Sequence, residues 1–337
     1  MESRSNVVMK AIVYHRSSVE KLKLEEIEKP IPGDDEILIK VRAAAVNPLD
    51  YHFSQHPFLR RLMSLMVKGK FSRPGRDVAG EVESVGRNVT QFKPGDEVFG
   101  ACNGAFAEYA CALEKGLVKK PPNISFEQAA SITIAGLTAL QGLRKGLSDN
   151  AQLRPDQKVL INGAAGGVGT YAVQIAKVFG AQVTAVCSTR NMDMVQSIGA
   201  DQVVDYTRAD FTSNGQKYDL LFDLVANHSF SEHTRALTPK GTYIGAGVLG
   251  LHGSFIKLIN VRLTEFVRSP FATQQFMSLM AKMNKRDLDT IASLIAEGRI
   301  RPVIESRYNL SEVPEAVRFL GEAHARGKVI INFDELN

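Results

Sequence analysis

The sequence predicts an α/β protein in two parts, a β-rich barrel-like part and a doubly wound parallel sheet. Three observations carry that expectation. Residues 8 to about 120 fall into short β segments, among them "MKAIVYH", "EILIKVRAAAV", "DVAGEVESVG", "DEVFGA" and "FAEYACAL", separated by the turn sequences "PIPGDD" and "KPGDE". Near Ser125 the period changes to that of a helix, and Ser125 with Gln128 has capping-box spacing ahead of "AASITIAGLTALQGL". Beyond the loop "SDNAQLRPDQ", short apolar strands alternate with helical segments, which implies parallel strands joined by right-handed crossovers.

Taken in order, the strands of that second part are "KVLING", "AQVTAVCS", "DQVVDY", "YDLLFDLV" and "GTYIGAGV". Between them lie "GVGTYAVQIAKVFG", "NMDMVQSIG" and "FSEHTRALTP", each short enough to be one crossover helix. From about residue 272 a helix is expected over "FMSLMAKMNKRDLDTIASLIAEG". It is followed by β-like "PVIESRYNL", a helix at "SEVPEAVRFLGEA" and a last strand, "KVIINF".

A chain of 337 residues is long enough for two cores. Its net charge of +5 suits anionic ligands but falls short of a nucleic-acid-binding surface. Cys102, Cys111 and Cys187 are odd in number and show no CxxC spacing, so neither a disulfide framework nor a four-cysteine zinc site is expected. "MESRSNVVMKAIVYH" has no apolar run of a secretory signal, and no stretch reaches the roughly 18 apolar residues of a spanning helix. A cytoplasmic location follows as the expectation.

The chemistry-bearing motif is "NGAAGGVGTYAVQIAKVFG", entered from the strand "KVLI". Gly163, Gly166, Gly167 and Gly169 stand between a strand and an amphipathic helix. There, glycines allow a tight turn, and exposed amides plus the helix dipole receive a pyrophosphate. Ala165, Gly166, Gly167 and Val168 are therefore the expected contacts of a dinucleotide. An acid about 20 residues on, at the end of the next strand, would hold the ribose hydroxyls of NAD. Here that place reads "VCSTRN", and the first acid after Gly169 is Asp193, already in the following helix. Ser188 and Arg190 offer a hydroxyl and a guanidinium fork instead, which favours the 2′-phosphate of NADPH.

Over nearly its whole length the chain resembles the zinc-independent quinone oxidoreductase branch of the medium-chain dehydrogenase/reductase superfamily. The resemblance rests on "EILIKVRAAAVNPLD", "GRDVAGEVESVG", "FKPGDEVFG", "AFAEYA", "IAGLTALQGL", "NGAAGGVGTYAVQIAK", "GADQVVDY" and "LSEVPEAVRFLGEAHARGKVII", in that order. It implies a GroES-like catalytic domain built from residues 1–128 and 272–337, around a Rossmann NADP-binding domain at 129–271. It also implies a homo-oligomer, expected to be a dimer. Alcohol dehydrogenases of the superfamily carry Cys where Asn47 stands and Gly-His-Glu where Gly75, Arg76 and Asp77 stand. Asn and Arg at two of those places do not make a catalytic zinc site, so no metal is expected. Without a metal to polarise a carbonyl, the accessible acceptors are those that spread the incoming charge themselves, quinones and α,β-unsaturated carbonyls.

For site residues, the resemblance places Asn47 beside nicotinamide and substrate, where its amide is expected to donate to a substrate oxygen or the ribose; a turn-capping Asn before Pro48 is the plainer alternative. Tyr51 is the nearest phenol and a candidate proton donor. Thr138 matches a family threonine near the cofactor, and Tyr206 one that joins Ser188 and Arg190 around the adenosine phosphate. Val225 and Gly245 to Gly247 stand at carboxyl ends of strands, where α/β sheets bind ligands. The family commonly has Gly after the segment matching "FDLV", whereas this chain has Ala226. Lys328 in "GKVII" either approaches the cleft or is exposed. The acid-free stretch 53–76 holds six basic residues, and Leu59, Leu62, Met63 and Met66 recur at helical spacing. It reads as a lid over the cleft, a solvated helix, or a membrane contact through 57–73. The expected activity is NADPH-dependent hydride transfer to a quinone or the β-carbon of an enone. The alternatives are an alcohol or ketone dehydrogenase and a non-enzymatic NADPH-binding scaffold.

Overall fold

The computed structural model describes residues 7–15, 22–57, 61, 73–146, 157–246, 273–322 and 325–333. Gly247 and most of the basic 57–73 stretch lie outside the described residues.

Two sheets organise the chain. The first has seven strands in the order β14-β15-β3-β4-β5-β7, with β6 pairing β3 off that path. These are β3 (Glu36–Val46), β4 (Asp77–Val85), β5 (Glu97–Ala101), β6 (Tyr109–Leu113), β7 (Leu117–Lys119), β14 (Ile304–Asn309) and β15 (Lys328–Asn332). A separate antiparallel pair, β1 (Val8–Tyr14) and β2 (Leu22–Glu28), lies beside it. β3 is the spine: eleven residues of mostly small and branched apolar side chains, paired antiparallel with β4, β6 and β15. Its tail of Ala43, Ala44, Ala45 and Val46 is buried on both faces, which a strand sandwiched between neighbours requires.

The second sheet is parallel, in the order β10-β9-β8-β11-β12-β13. Its members are β8 (Lys158–Asn162), β9 (Gln182–Cys187), β10 (Gln202–Asp205), β11 (Tyr218–Asp223), β12 (Leu237–Gly245) and β13 (Gln275–Ser278). Counted along this sheet the order is third-second-first-fourth-fifth-sixth, the doubly wound arrangement, with its switch point between β8 and β11. Ligands bind such sheets outside the carboxyl ends of the strands flanking that point. Here those ends are Asn162 and Asp223, which are paired directly.

The expected helices form at α2 (Phe126–Lys145), α3 (Gly167–Val178), α4 (Met192–Ser197) and α5 (Phe230–Ala236), following α1 (Pro48–Gln55). They continue with α6 (Lys285–Ala296) and α7 (Val313–Gly321). The Ser125 hydroxyl accepts from the Gln128 N–H at 3.1 Å, and the Gln128 amide oxygen accepts from the Ser125 N–H at 2.9 Å, completing the capping box. α2 buries most of its surface and packs in one apolar cluster with α3 and α6, carrying Ile132, Leu140, Val173, Leu288 and Ile291. It also touches β3, β4 and β5, so it ties the two sheets together.

Two expectations need correction. The helix expected from 272 begins only at Lys285, and Gln275–Ser278 is instead an edge strand pairing in parallel with β12. Phe276, Leu279, Met280 and Met283 happen to recur at helical spacing, but main-chain bonding to the open edge of β12 overrides it. The dinucleotide-side sheet consequently runs past the boundary expected at 271/272, to Ser278.

Candidate active site

The glycine-rich turn follows β8. Gly163 lies in the left-handed region, φ +88°, and the N–H groups of Gly163 and Ala164 donate to the Val186 carbonyl of β9. A Cβ on Gly169 would fall 2.2 Å from the Gly163 carbonyl oxygen, so only glycine lets α3 start this close to the strand. Gly166, the residue capping α3, differs: a Cβ there meets only the Gly163 oxygen, at 3.6 Å. Its face is open, and it stands at the N-terminus of α3. An anion suits that cradle.

The end of β11 closes one side of the turn. Val225 packs towards Gly163, whose Cβ would lie 2.9 Å from the valine Cγ2. Ala226, at the place where the resemblance leads one to expect glycine, adopts φ +59°. A side chain costs free energy in that region, and Asp223 offsets it. Its Oδ1 accepts from the N–H of both Val225 and Ala226 at 3.0 Å, and from Asn162 Nδ2 at 2.9 Å. Its Oδ2 accepts from the Tyr243 hydroxyl at 3.0 Å and lies 3.5 Å from His233 Nε2. Complete burial opposes the charge, but the His233 partner and these N–H donors prevail and hold the carboxyl well below the usual range. Gly245 ends β12 in register with Asp223. The Asp223 hub was not foreseen. The single acid in the apolar run "LLFDL" was its only signal.

On the far side, Ser188 follows β9, and its hydroxyl accepts from Asn191 Nδ2 at 3.1 Å. Arg190 is exposed and Tyr206 is 61% exposed, its N–H bonded to the Cys187 carbonyl. The three residues expected around an adenosine phosphate therefore do share one edge, the carboxyl ends of β9 and β10. Asp205, at the end of β10, is engaged by the Thr189 hydroxyl at 2.5 Å and by the Thr207 N–H and hydroxyl.

The third component sits where the two sheets meet. Gly327 N–H donates to the Ala165 carbonyl at 2.8 Å and Gly327 bridges Gly166, so the start of β15 is fastened to the glycine turn. The Lys328 side chain then runs beside Gly167, whose Cβ would lie 3.0 Å from the lysine Cδ. Its Nζ ends 2.8 Å from Asn47 Oδ1 and 3.3 Å from Asp77 Oδ2. Lys328 is 3% exposed and Asp77 0%. Asn47 Nδ2 donates to Asp77 Oδ2 at 3.1 Å and to the Ala45 carbonyl at 3.2 Å, while Asp77 Oδ1 accepts from the Ile134 N–H of α2 at 3.2 Å. Burial raises the Asp77 carboxyl pKa, with Lys328 and Asn47 pulling the other way. Below this group, Asp50 accepts from the N–H of Asn47 and of Gly75, at 2.9 and 3.1 Å. Burial nonetheless lifts it to about 6.

Two expectations change here, those for Asn47 and Tyr51. Both amide hydrogens of Asn47 are spent inside the protein, so it does not supply the expected donor to a substrate oxygen; it begins α1 and holds Lys328. Tyr51 packs its ring on Gly321 of α7, where a Cβ would lie 2.2 Å from the ring, a packing contact within the barrel-side core. The Thr138 hydroxyl donates to the Ile134 carbonyl at 2.7 Å, one turn from the amide that meets Asp77. Lys328, expected either to approach the cleft or to be exposed, is buried against Asn47 and Asp77. Asp77 was missed as a site residue, although an acid opening an apolar strand ("DVAGEV") was its signal.

Comparison with known proteins agrees with this architecture. Residues 33–122 match the alcohol dehydrogenase GroES-like domain, and 198–331 match the zinc-binding dehydrogenase family. A chloroplastic quinone-oxidoreductase of Triphysaria versicolor is 33% identical over 344 residues, covering 96% of this chain and 98% of that one. The chain belongs to the quinone oxidoreductase-like branch of the medium-chain dehydrogenase/reductases. It is thus an oxidoreductase of a family that binds a nicotinamide cofactor, with a GroES-like part and a Rossmann-like parallel sheet. A trans-enoyl reductase of Aspergillus terreus is 33% identical over 322 residues, covering 90% of this chain and 88% of that one. The solved quinone oxidoreductase from Coxiella burnetii superposes with a TM-score of 0.83 at 29% identity, covering 97% of this chain and all of that one.

The family description implies zinc, and the residues present do not fit it. Where a relative would place metal ligands, this chain has an amide and an arginine, and the Lys328 ammonium stands between Asn47 and Asp77. A cation held there repels a second one. Among the described residues, no three of His, Cys, Asp and Glu are grouped to hold a metal. The glycine cradle, in contrast, fits a dinucleotide: the face at Gly166 is open at the N-terminus of α3.

Proposed function

We propose that this protein is a metal-free, NADPH-dependent oxidoreductase that delivers a hydride to a quinone or to the β-carbon of an α,β-unsaturated carbonyl. The observation that carries the reading is the Lys328–Asn47–Asp77 cluster, a fixed charge network set beside the glycine turn in place of metal ligands. Ala165, Gly166, Gly167 and Val168 receive the pyrophosphate, and Ser188, Arg190 and Tyr206 the 2′-phosphate. Val225, Gly245 and Thr138 border the path towards nicotinamide. When bound, the reduced dinucleotide supplies the hydride.

The protein's share is positioning and electrostatics. β15 holds the cradle against the Asn47 cluster, so cofactor and acceptor meet at a fixed distance from a buried charge pair. Without a strong Lewis acid, the acceptor must spread the incoming electron pair itself. Quinones do so over a ring and enones over an enolate, whereas a simple ketone places it on one oxygen. The proton that completes the reaction comes from solvent. Three free cysteines and the charge balance fit a reducing aqueous compartment, and we read the cytoplasm as its place. The family habit supports a homodimer.

Steady-state NADPH oxidation measured across quinones, enones and simple aldehydes tests the reading. Turnover is expected with the first two and negligible with the third. Equal activity with simple aldehydes, or alcohol oxidation matching enone reduction, would favour the alcohol dehydrogenase alternative. Tight NADPH binding with no turnover of any acceptor would favour the scaffold.

A further inference from the structure

We infer that Lys328 is the catalytic cation of this site: its ammonium faces the acceptor oxygen as that oxygen gains negative charge, and Asn47 and Asp77 serve to aim it. The inference rests on the proposed hydride transfer and goes beyond it by naming the group that replaces the metal. It begins from hydrogen-bond accounting. Asn47 has two N–H donors, and Ala45 and Asp77 take both. Its amide oxygen takes one donor from Lys328. An ammonium has three donors, and Lys328 spends two, on Asn47 Oδ1 and Asp77 Oδ2. Among the described residues, the third N–H of Lys328 is the donor this cluster keeps in hand.

Placement supports the same assignment. The lysine stem passes Gly167 at the opening of α3, and its head lies at the end of β3, so it spans from the dinucleotide cradle to the barrel. A flexible four-carbon side chain would ordinarily blur the position of its charge. Here burial, the Gly327–Ala165 bond and two acceptors fix it. A fixed cation in a water-poor site stabilises developing negative charge with little reorganisation. The step balances without a further reactant. The hydride forms a C–H bond at the β-carbon, the π pair moves to the oxygen, and the dinucleotide is oxidised. Lys328 keeps its proton while solvent protonates the α-carbon.

The test must separate this role from mere neutralisation of Asp77. Lys328→Met alone strands a buried carboxylate, so it is compared with the charge-balanced pair Lys328→Met/Asp77→Asn. Three quantities are read for each: kcat with the best acceptor, the NADPH Kd by fluorescence, and the Kd of p-nitrophenolate in the presence of NADP⁺. That phenolate stands in for the charged oxygen of the product-like state, and its titration needs no turnover. In the double variant, Tm and the NADPH Kd are expected to stay near wild type. kcat should fall on the order of 10²-fold, as when a single oxyanion donor is lost, and phenolate binding by at least about tenfold. Lys328→Arg is expected to recover part of both. A stable double variant that keeps wild-type kcat and phenolate affinity overturns the assignment and leaves Lys328 a structural counter-ion. Should the wild type reduce no acceptor at all, the hydride-transfer reading fails, and the phenolate titration still decides the role of Lys328.

Discussion

The two charged regions of the site are built by opposite means. Around Lys328 every charged or amide group is buried and tied to a neighbour: Asn47, Asp50, Asp77 and Lys328 are each 3% exposed or less. Past the ends of β9 and β10, Arg190 and Tyr206 are exposed and Ser188 is half-buried. The first region aims a charge by packing, so its energies are large and insensitive to salt. The second, under the proposed reading, recognises a charge by proximity, so its energies are small and screened. The reacting end of a dinucleotide needs the first kind of precision, and its distant phosphate needs only the second.

The largest effect expected from this contrast is a pH dependence confined to the buried region. The Asp50 carboxyl, raised to about 6, binds its proton more tightly in the folded than in the unfolded chain. Its stabilising contribution is therefore present below the unfolded carboxylate range and is lost as pH rises through about 6. Denaturant unfolding of wild type is expected to lose about 2–3 kcal/mol more between pH 4 and pH 7 than that of Asp50→Asn. Parallel curves would mean that Asp50 is not buried as described.

A smaller effect is expected at the cradle. Gly166→Ala places a methyl where only the Gly163 oxygen is near, at 3.6 Å, so folding should be untouched. NADPH Kd should nonetheless rise about tenfold, ~1.4 kcal/mol, because that methyl fills the face assigned to the pyrophosphate. Unchanged affinity would move the dinucleotide off this turn. The smallest effect belongs to the exposed end. Arg190→Ala should raise the NADPH KM roughly fivefold, about 1 kcal/mol, leave NADH unaffected, and do less at high salt. An unaltered preference for NADPH would remove Arg190 from phosphate recognition.

Much of this architecture was legible in the sequence because local signals and tertiary roles coincide. The glycine spacing, the Ser125 capping box and the strand-helix rhythm each depend on neighbours a few residues apart, and each forms. β13 was misread because an edge strand needs only main-chain bonds, and its apolar residues imitate a helical stripe. The active-site cluster was only half legible for a different reason. Asn47 and Lys328 lie 281 positions apart, and no local pattern records that β15 pairs with β3. Asn47 could be placed near the chemistry but not assigned its partners, and those partners reverse its role from donor to holder.

The measurement that bears most directly on the account is enone and quinone reduction by NADPH in protein freed of metal by exhaustive chelation, with its metal content determined in parallel. Full activity is expected at sub-stoichiometric metal, with enones and quinones far ahead of simple aldehydes. Activity that disappears with the metal and returns with one equivalent of zinc would contradict a site built around Lys328.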